Sequence, residues 1–277
     1  MSEARPSFRF GRDQWIVLAS VFVLAALAWA YLFWLGQRMG AMAPPPHPAP
    51  MADMPGMSMP GMAMAGAPPA APAPEPLVLT FLMWLVMMLG MMLPSAAPML
   101  LISGSVDRGR PGLAPVAGSA LFLIGYLTVW GVFSLAAAAL QGLLSRATLI
   151  DAGLTLTDRR IAGAALVVAG LYELSPLKRR CLDLCRSPFA FVASRWRPGL
   201  IGRYRMGLEH GLFCLGCCWA LMLLLFAGGV MNLLWVAALG VLVLVQKLLP
   251  GGPLASRITS AALVLAGLVL IGLGLKA

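Results

Sequence analysis

Residues 78–102 read VLTFLMWLVMMLGMMLPSAAPMLLI and contain no charged side chain. About 20 apolar residues are enough for a helix to cross the hydrocarbon core of a bilayer. The whole chain is 60% hydrophobic and only 11% charged, whereas roughly one quarter of a soluble globular domain is charged. Backbone groups in lipid must be hydrogen-bonded within the segment, and the weak alternation of a membrane barrel is absent. The sequence therefore predicts an all-α, polytopic transmembrane helical bundle.

Apolar periodicity predicts about seven spans. Their approximate ranges are 15–35, 78–102, 116–140, 160–175, 208–229, 232–249 and 257–275. With the N-terminus inside, fifteen of the 20 Lys and Arg residues fall on the cytoplasmic side, as the positive-inside rule requires. This distribution favours an N-in, C-out orientation.

The net charge of +10 could suggest a nucleic-acid partner. The basic residues are, however, spread through short loops between apolar spans and do not line one face of a soluble domain. The predicted partners are therefore the lipid bilayer and a metal ion, and no nucleic acid.

The chain divides into three parts. Residues 1–36 form a cytoplasmic N-terminus and a signal-anchor helix, since the apolar stretch is longer than that of a cleaved signal peptide. Residues 37–76 form a periplasmic loop rich in Met and Pro, a composition that cannot build a packed core. Residues 77–277 form a six-helix membrane domain, with a basic cytoplasmic loop at 176–206.

All five cysteines fall into two tight groups: Cys181 and Cys185, and Cys214, Cys217 and Cys218. An odd number of thiols on a reducing face argues against a disulfide framework and favours metal or redox chemistry. In a helix, His210, Cys214 and Cys218 would recur every four residues, with Cys217 on nearly the same face. Thiolates prefer soft metals, so copper(I) or zinc is predicted. A single buried Cys is commonly only a small apolar residue, and the clustering is what favours a site.

Methionines suggest a second metal site in the loop at 37–76. They follow M-x-x-M and M-x-M spacing at Met51, Met54, Met57, Met59, Met62 and Met64. Neutral thioethers bind Cu(I) well and Zn(II) or Mg(II) poorly. The alternative is a low-complexity linker in which Met is incidental.

Methionines also form a stripe in the second span, where Met83, Met87 and Met91 are four residues apart. We interpret this stripe as helix packing, because thioethers commonly fill gaps between helices. The functional alternative is a Cu(I) ladder, supplemented by Met222 and Met231. No nucleotide-binding loop, nucleophile elbow or H-E-x-x-H motif occurs, so the sequence favours a binding protein over an enzyme.

Four stretches resemble a bacterial family of predicted metal-binding integral membrane proteins that are polytopic and Cys-rich. They are MMLPSAAPML (91–100), GYLTVWGVF (125–133), LYELSPLKRRCLDLCRSPFAF (171–191) and MGLEHGLFCLGCCWALMLLLFAGGVMN (206–232). The resemblance implies that Cys181, Cys185, His210, Cys214, Cys217 and Cys218 bind the metal. Members of that family often carry Gln in place of Glu173 and Glu in place of Gln246, which argues against a role for an acid at either position.

These observations lead to one principal hypothesis and two alternatives. The chain is predicted to handle copper(I), by acquisition, transport or delivery to a periplasmic or membrane copper protein, through the Met-rich loop and the Cys/His site. The first alternative is a membrane thiol-disulfide oxidoreductase using the C-x-x-C pair Cys214 and Cys217. The second is a structural metal site that only holds the basic loop against a span.

Overall fold

The computed structural model describes residues 12–42, 76–106, 115–151, 153–249 and 252–276. These ranges are helical apart from short connections and an antiparallel bridge between Ile150 and Leu156. The all-α prediction is confirmed. The helices are α1 (Arg12–Met42), α2 (Leu77–Val106), α3 (Pro115–Arg146), α4 (Arg159–Glu173), α5 (Pro176–Arg186), α6 (Pro188–Arg195), α7 (Gly199–Leu223), α8 (Leu225–Gly228), α9 (Leu233–Leu248) and α10 (Gly252–Lys276).

Five segments of the described chain are long and apolar enough to cross a membrane: Gln14–Arg38, Leu77–Ser103, Val116–Arg146, Gly199–Gly228 and Leu254–Leu275. They coincide with five of the seven predicted spans. The predicted spans at 160–175 and 232–249 correspond to α4 and α9, which have only 15 and 16 residues. Helices α4 and α5 together would make a sixth span, bent by 63°. The N-in, C-out orientation stays a prediction.

The bend between α4 and α5 is encoded at Ser175 and Pro176. Proline has no N–H to donate and disfavours helical geometry in the residue before it, so a helix readily starts but does not continue there. The Ser175 side chain caps α5 by accepting a hydrogen bond of 3.1 Å from the backbone N–H of Lys178. Helix α5 then turns away from the axis of α4 and packs on α7. The segment 176–206 is thus largely helical, formed by α5, α6 and the start of α7.

Helices α3 and α7 approach each other closely through glycine. A Cβ atom on Gly125 would overlap the carbonyl oxygen of Tyr204, and one on Gly207 would overlap that of Phe122. Small residues let helix backbones come this close in membrane bundles. Helix α3 also packs on α2, which in turn packs on α1, while α4 pairs with α10. Helix α7 therefore has a fixed position in the bundle.

Large apolar side chains cover the outer faces of the terminal helices. Phe22 and Phe33 on α1 and Leu265 and Val269 on α10 are each more than half exposed. Soluble monomers rarely expose contiguous apolar surface of this kind. Such faces are those that a helix in lipid requires.

The α3/α7 contact yields a first prediction. Gly125→Ala should lower the free energy of unfolding by about 1–3 kcal/mol, because the added methyl group forces two backbones apart. Gly131 lies on the same helix with no atom within 4 Å of an added Cβ, so Gly131→Ala is the matched control and should be neutral. Thermal melting in detergent measures both variants, and equal melting temperatures would contradict the close approach.

Candidate metal centre

The structure brings the two cysteine groups together at the contact between α5 and α7. The sulfur of Cys181 lies 2.8 Å from the position that a Cβ atom on Gly216 would take, so the missing side chain at Gly216 leaves room for this thiol. Cys185, one turn further along α5, lies close enough to Cys217 for the two thiols to interact. On the same turn of α7, the Gly216 carbonyl accepts a hydrogen bond from the Tyr172 hydroxyl. Thiols about 30 residues apart in the chain thus share one interface.

The three thiols of α7 are all buried, and each is at most 2% exposed. Cys217 and Cys218 both donate to the backbone carbonyl of Cys214, at 3.1 and 2.9 Å. The sulfur of Cys214 itself lies 3.1 Å from the Tyr126 hydroxyl. The turn from 214 to 218 therefore concentrates three sulfurs in a space without water access.

Lys247 of α9 is a member of the cluster that the sequence reasoning missed. Its ammonium group donates to the Cys214 sulfur at 2.9 Å and to the Ser95 hydroxyl at 3.2 Å, and the residue is only 6% exposed. From the sequence alone, this lysine served only as one of the fifteen basic residues that indicate topology. The available signal was an ionisable residue on an apolar helix, since such residues usually mark functional sites.

Met92 of α2 adds a thioether to the thiols. Its sulfur lies 4.0 Å from the Cys218 sulfur. Its carbonyl accepts hydrogen bonds from Ser95 of the same helix at 2.8 Å and from Tyr126 of α3 at 3.4 Å, and the second bond links this turn of α2 to α3. The other methionines of the α2 stripe belong to the same buried cluster as the thiols: Met83, Met87, Met88 and Met91. Met92, which follows the last methionine of the stripe, Met91, therefore contacts the candidate metal centre.

His210 lies one helical turn before Cys214 and is 3% exposed. Its ring stands among those of Phe122, Tyr126 and Phe191, with centroids 5.4 to 5.8 Å away. No hydrogen-bond partner for its Nδ1 atom is present in the part of the chain that the structure describes. A buried ring nitrogen without a partner is uncommon, and it leaves His210 able to bind a further group.

No three His, Cys, Asp or Glu side chains among the described residues are arranged as a ready-made metal site. Thioether donors such as Met92 lie beside these side chains and add to the set. The predicted loop donors Met51, Met54, Met57, Met59, Met62 and Met64 lie outside the described residues. The arrangement is thus a concentration of soft donors whose side chains would have to turn inward to share one ion.

A buried polar network lies beside the thiols. Lys178 of α5 forms an ion pair with Glu173 of α4 and donates to Gln246 of α9 at 2.8 Å, and Gln246 donates to Glu173 at 3.0 Å. Glu173 and Lys178 are each 1% exposed. Because Glu173 and Gln246 touch each other and both contact Lys178, a carboxylate at either position would lie beside that lysine. These contacts support a structural role for the acid at 173, contrary to the sequence-based argument.

This reciprocity yields a second prediction. Glu173→Gln should lower the free energy of unfolding by about 3–5 kcal/mol, because the buried ammonium of Lys178 loses its counter-charge. Adding Gln246→Glu should recover most of the loss. Denaturant or thermal unfolding in detergent measures the single and double variants together. A double variant no more stable than Glu173→Gln alone would contradict the shared network.

Comparison with known proteins identifies one relevant family. A family model described as PpoB2: Copper chaperone matches residues 81–270, more than two thirds of the chain. No curated protein and no solved structure matches the chain. The matched range contains both cysteine groups, His210, Met92 and Lys247, and it begins after the Met-rich loop. The resemblance to metal-binding proteins is confirmed in this coarser form, as a copper-related family.

Proposed function

The chain belongs to the PpoB2 copper chaperone family, and from this premise we propose that it is an inner-membrane protein that binds Cu(I) at the buried thiols of α7, next to Met92 of α2 and Lys247 of α9. In this proposal the ion is then delivered to a periplasmic or membrane copper protein. The observation that carries the proposal is the convergence of three donors and one cation in a buried space: the Cys218 sulfur lies 4.0 Å from that of Met92, and Lys247 donates to Cys214 at 2.9 Å.

The donor set favours Cu(I) over Zn(II). Thiolates bind both ions, but a neutral thioether such as that of Met92 is a good ligand only for a soft ion. Two sulfurs that each bind a metal at about 2.3 Å in a trigonal arrangement lie roughly 4 Å apart. The separation of 4.0 Å between Met92 and Cys218 matches this value.

The charge of the site favours a monovalent ion. A buried charge is costly unless it is paired, and Lys247 places one positive charge against Cys214. Two thiolates, one Cu(I) and one ammonium sum to zero, whereas the same two thiolates with Zn(II) would leave one positive charge unbalanced. The site is therefore suited to Cu(I) held by two thiolates with Met92 as a neutral third donor.

The Met-rich loop has the role of an outer collector in this proposal. Its six methionines supply neutral thioethers, which suit a Cu(I) ion. The ion would then pass to the buried thiols, which bind it more tightly because they carry charge. This loop, the N-in orientation and the delivery step are parts of the proposal that rest on the sequence.

Metal content is the third prediction. Protein purified without oxygen from copper-supplemented cells should contain copper by mass spectrometry, and the double variant Cys214→Ser, Cys218→Ser should lose it while melting like metal-free wild-type protein. Replacing the six loop methionines with Leu should reduce copper loading at limiting copper only. Wild-type protein free of copper under these conditions would refute the proposed function.

Lys247 gives a fourth prediction. Lys247→Met keeps the length of the side chain but removes the charge, and it should weaken Cu(I) binding by about 10–100-fold, as loss of a residue that supports a metal ligand typically does. Lys247→Arg is the matched control that keeps the charge and should retain most of the affinity. Competition with a Cu(I) chelator measures both variants. An equal loss of Cu(I) affinity in Lys247→Met and Lys247→Arg would show that the lysine contributes packing and not charge.

The proximity of Cys185 and Cys217 also favours a second candidate, thiol-disulfide exchange. In that reaction one thiolate attacks a substrate disulfide and its partner resolves the mixed disulfide. Cys217→Ser should trap a mixed disulfide if this is the activity, whereas a copper chaperone should show none. If the metal site is purely structural, replacing its ligands should lower the melting temperature and leave copper delivery unchanged.

A further inference from the structure

Five residues of α7, spaced four apart, have side chains that can bind Cu(I). Each of these residues is at most 3% exposed. They are Met206, His210, Cys214, Cys218 and Met222. Residues four apart form a continuous ridge on a helix surface, and four residues turn the helix by about 400°, so the five donors follow one another along a ridge that winds around α7.

The length of this donor row is close to that of a membrane crossing. Four residues of an α-helix advance about 6 Å, so the row covers about 24 Å along the axis. The hydrocarbon core of a bilayer is about 30 Å thick. The cysteine cluster occupies the middle and each end is a methionine.

Contacts along the row go beyond apolar packing. At one end, the Met206 sulfur accepts hydrogen bonds from the backbone N–H of Arg197 at 3.4 Å and from the Arg203 guanidinium at 3.7 Å. Next to it, Nδ1 of His210 has no partner within the described ranges. Further along, the sulfur of Cys218 faces that of Met92. Leucine would fill the same volumes but could make none of these contacts.

We propose that the donor row is a relay along which Cu(I) crosses the membrane. This inference rests on the proposed function, because the middle of the row is the proposed copper site. In each step a bond forms from the next sulfur or imidazole nitrogen to copper while a bond to the previous donor breaks. Copper stays Cu(I) throughout, so the transfer needs no oxidant or reductant. The protein is then a translocator as well as a chaperone.

The test is copper entry into proteoliposomes containing the full chain. Cu(I) is supplied outside with ascorbate, and entry is followed with a Cu(I)-binding fluorescent chelator trapped inside. Met206→Leu and Met222→Leu should each lower the initial rate at least tenfold, because an end donor is removed. Their Cu(I) affinity at the cysteine cluster should equal that of the wild type, a split that a general loss of structure would not produce.

Met99→Leu is the matched control, because Met99 belongs to the same buried cluster as Met206 but lies off the row. Its rate should equal that of the wild type. Equal rates in Met206→Leu, Met222→Leu and Met99→Leu would overturn the relay. The relay would also be overturned if the wild-type protein binds Cu(I) but its proteoliposomes admit no more Cu(I) than empty liposomes. The proposed function would then still stand. Wild-type protein that binds no Cu(I) would refute both.

Discussion

Pro176 has no backbone N–H to donate and the Ser175 side chain caps the start of α5, so the chain ends α4 and begins a new helix here. The bend of 63° at this point lays α5 across α7. A straight helix would have carried Cys181 and Cys185 away from the bundle. With the bend, both reach the turn of α7 that holds Cys217. The candidate metal centre thus depends on a local backbone constraint as well as on the thiols.

The cost of burying charge shapes the surroundings of the thiols. Two lysines are buried here, and each has hydrogen-bond acceptors from other helices. Lys178 is neutralised by Glu173 within the protein, which makes it part of the scaffold. Lys247 donates to the thiol of Cys214 and the hydroxyl of Ser95, and neither is a carboxylate. Its charge is therefore balanced fully only when nearby thiols are ionised, as they are when they bind a metal.

Sequence reasoning predicted the helical class and five long apolar segments because composition and hydrophobic runs are local properties. It assigned full spans to α4 and α9, since the count of apolar residues does not register a proline break or a helix of 16 residues. It predicted the donors Cys214, Cys217 and Cys218 from helical spacing. It missed Lys247 and Met92 as neighbours of the thiols, because their contacts join helices that are distant in the chain.

Glu173 and Gln246 illustrate the same limit of sequence-based prediction. In sequence they are two unrelated departures from a pattern, and in space they are one hydrogen-bonded pair. No periodicity links α4 to α9. Only the packed bundle shows that a carboxylate at either position serves the same lysine.

The central claim is that a cluster built mainly of sulfur holds Cu(I), and X-ray absorption at the copper edge of the loaded wild-type protein tests it most directly. We expect a Cu(I) edge and a first coordination shell of sulfur atoms, and the shell in Met92→Leu should contain one sulfur fewer. A Cu(II) edge, or a first shell dominated by oxygen and nitrogen, would contradict it.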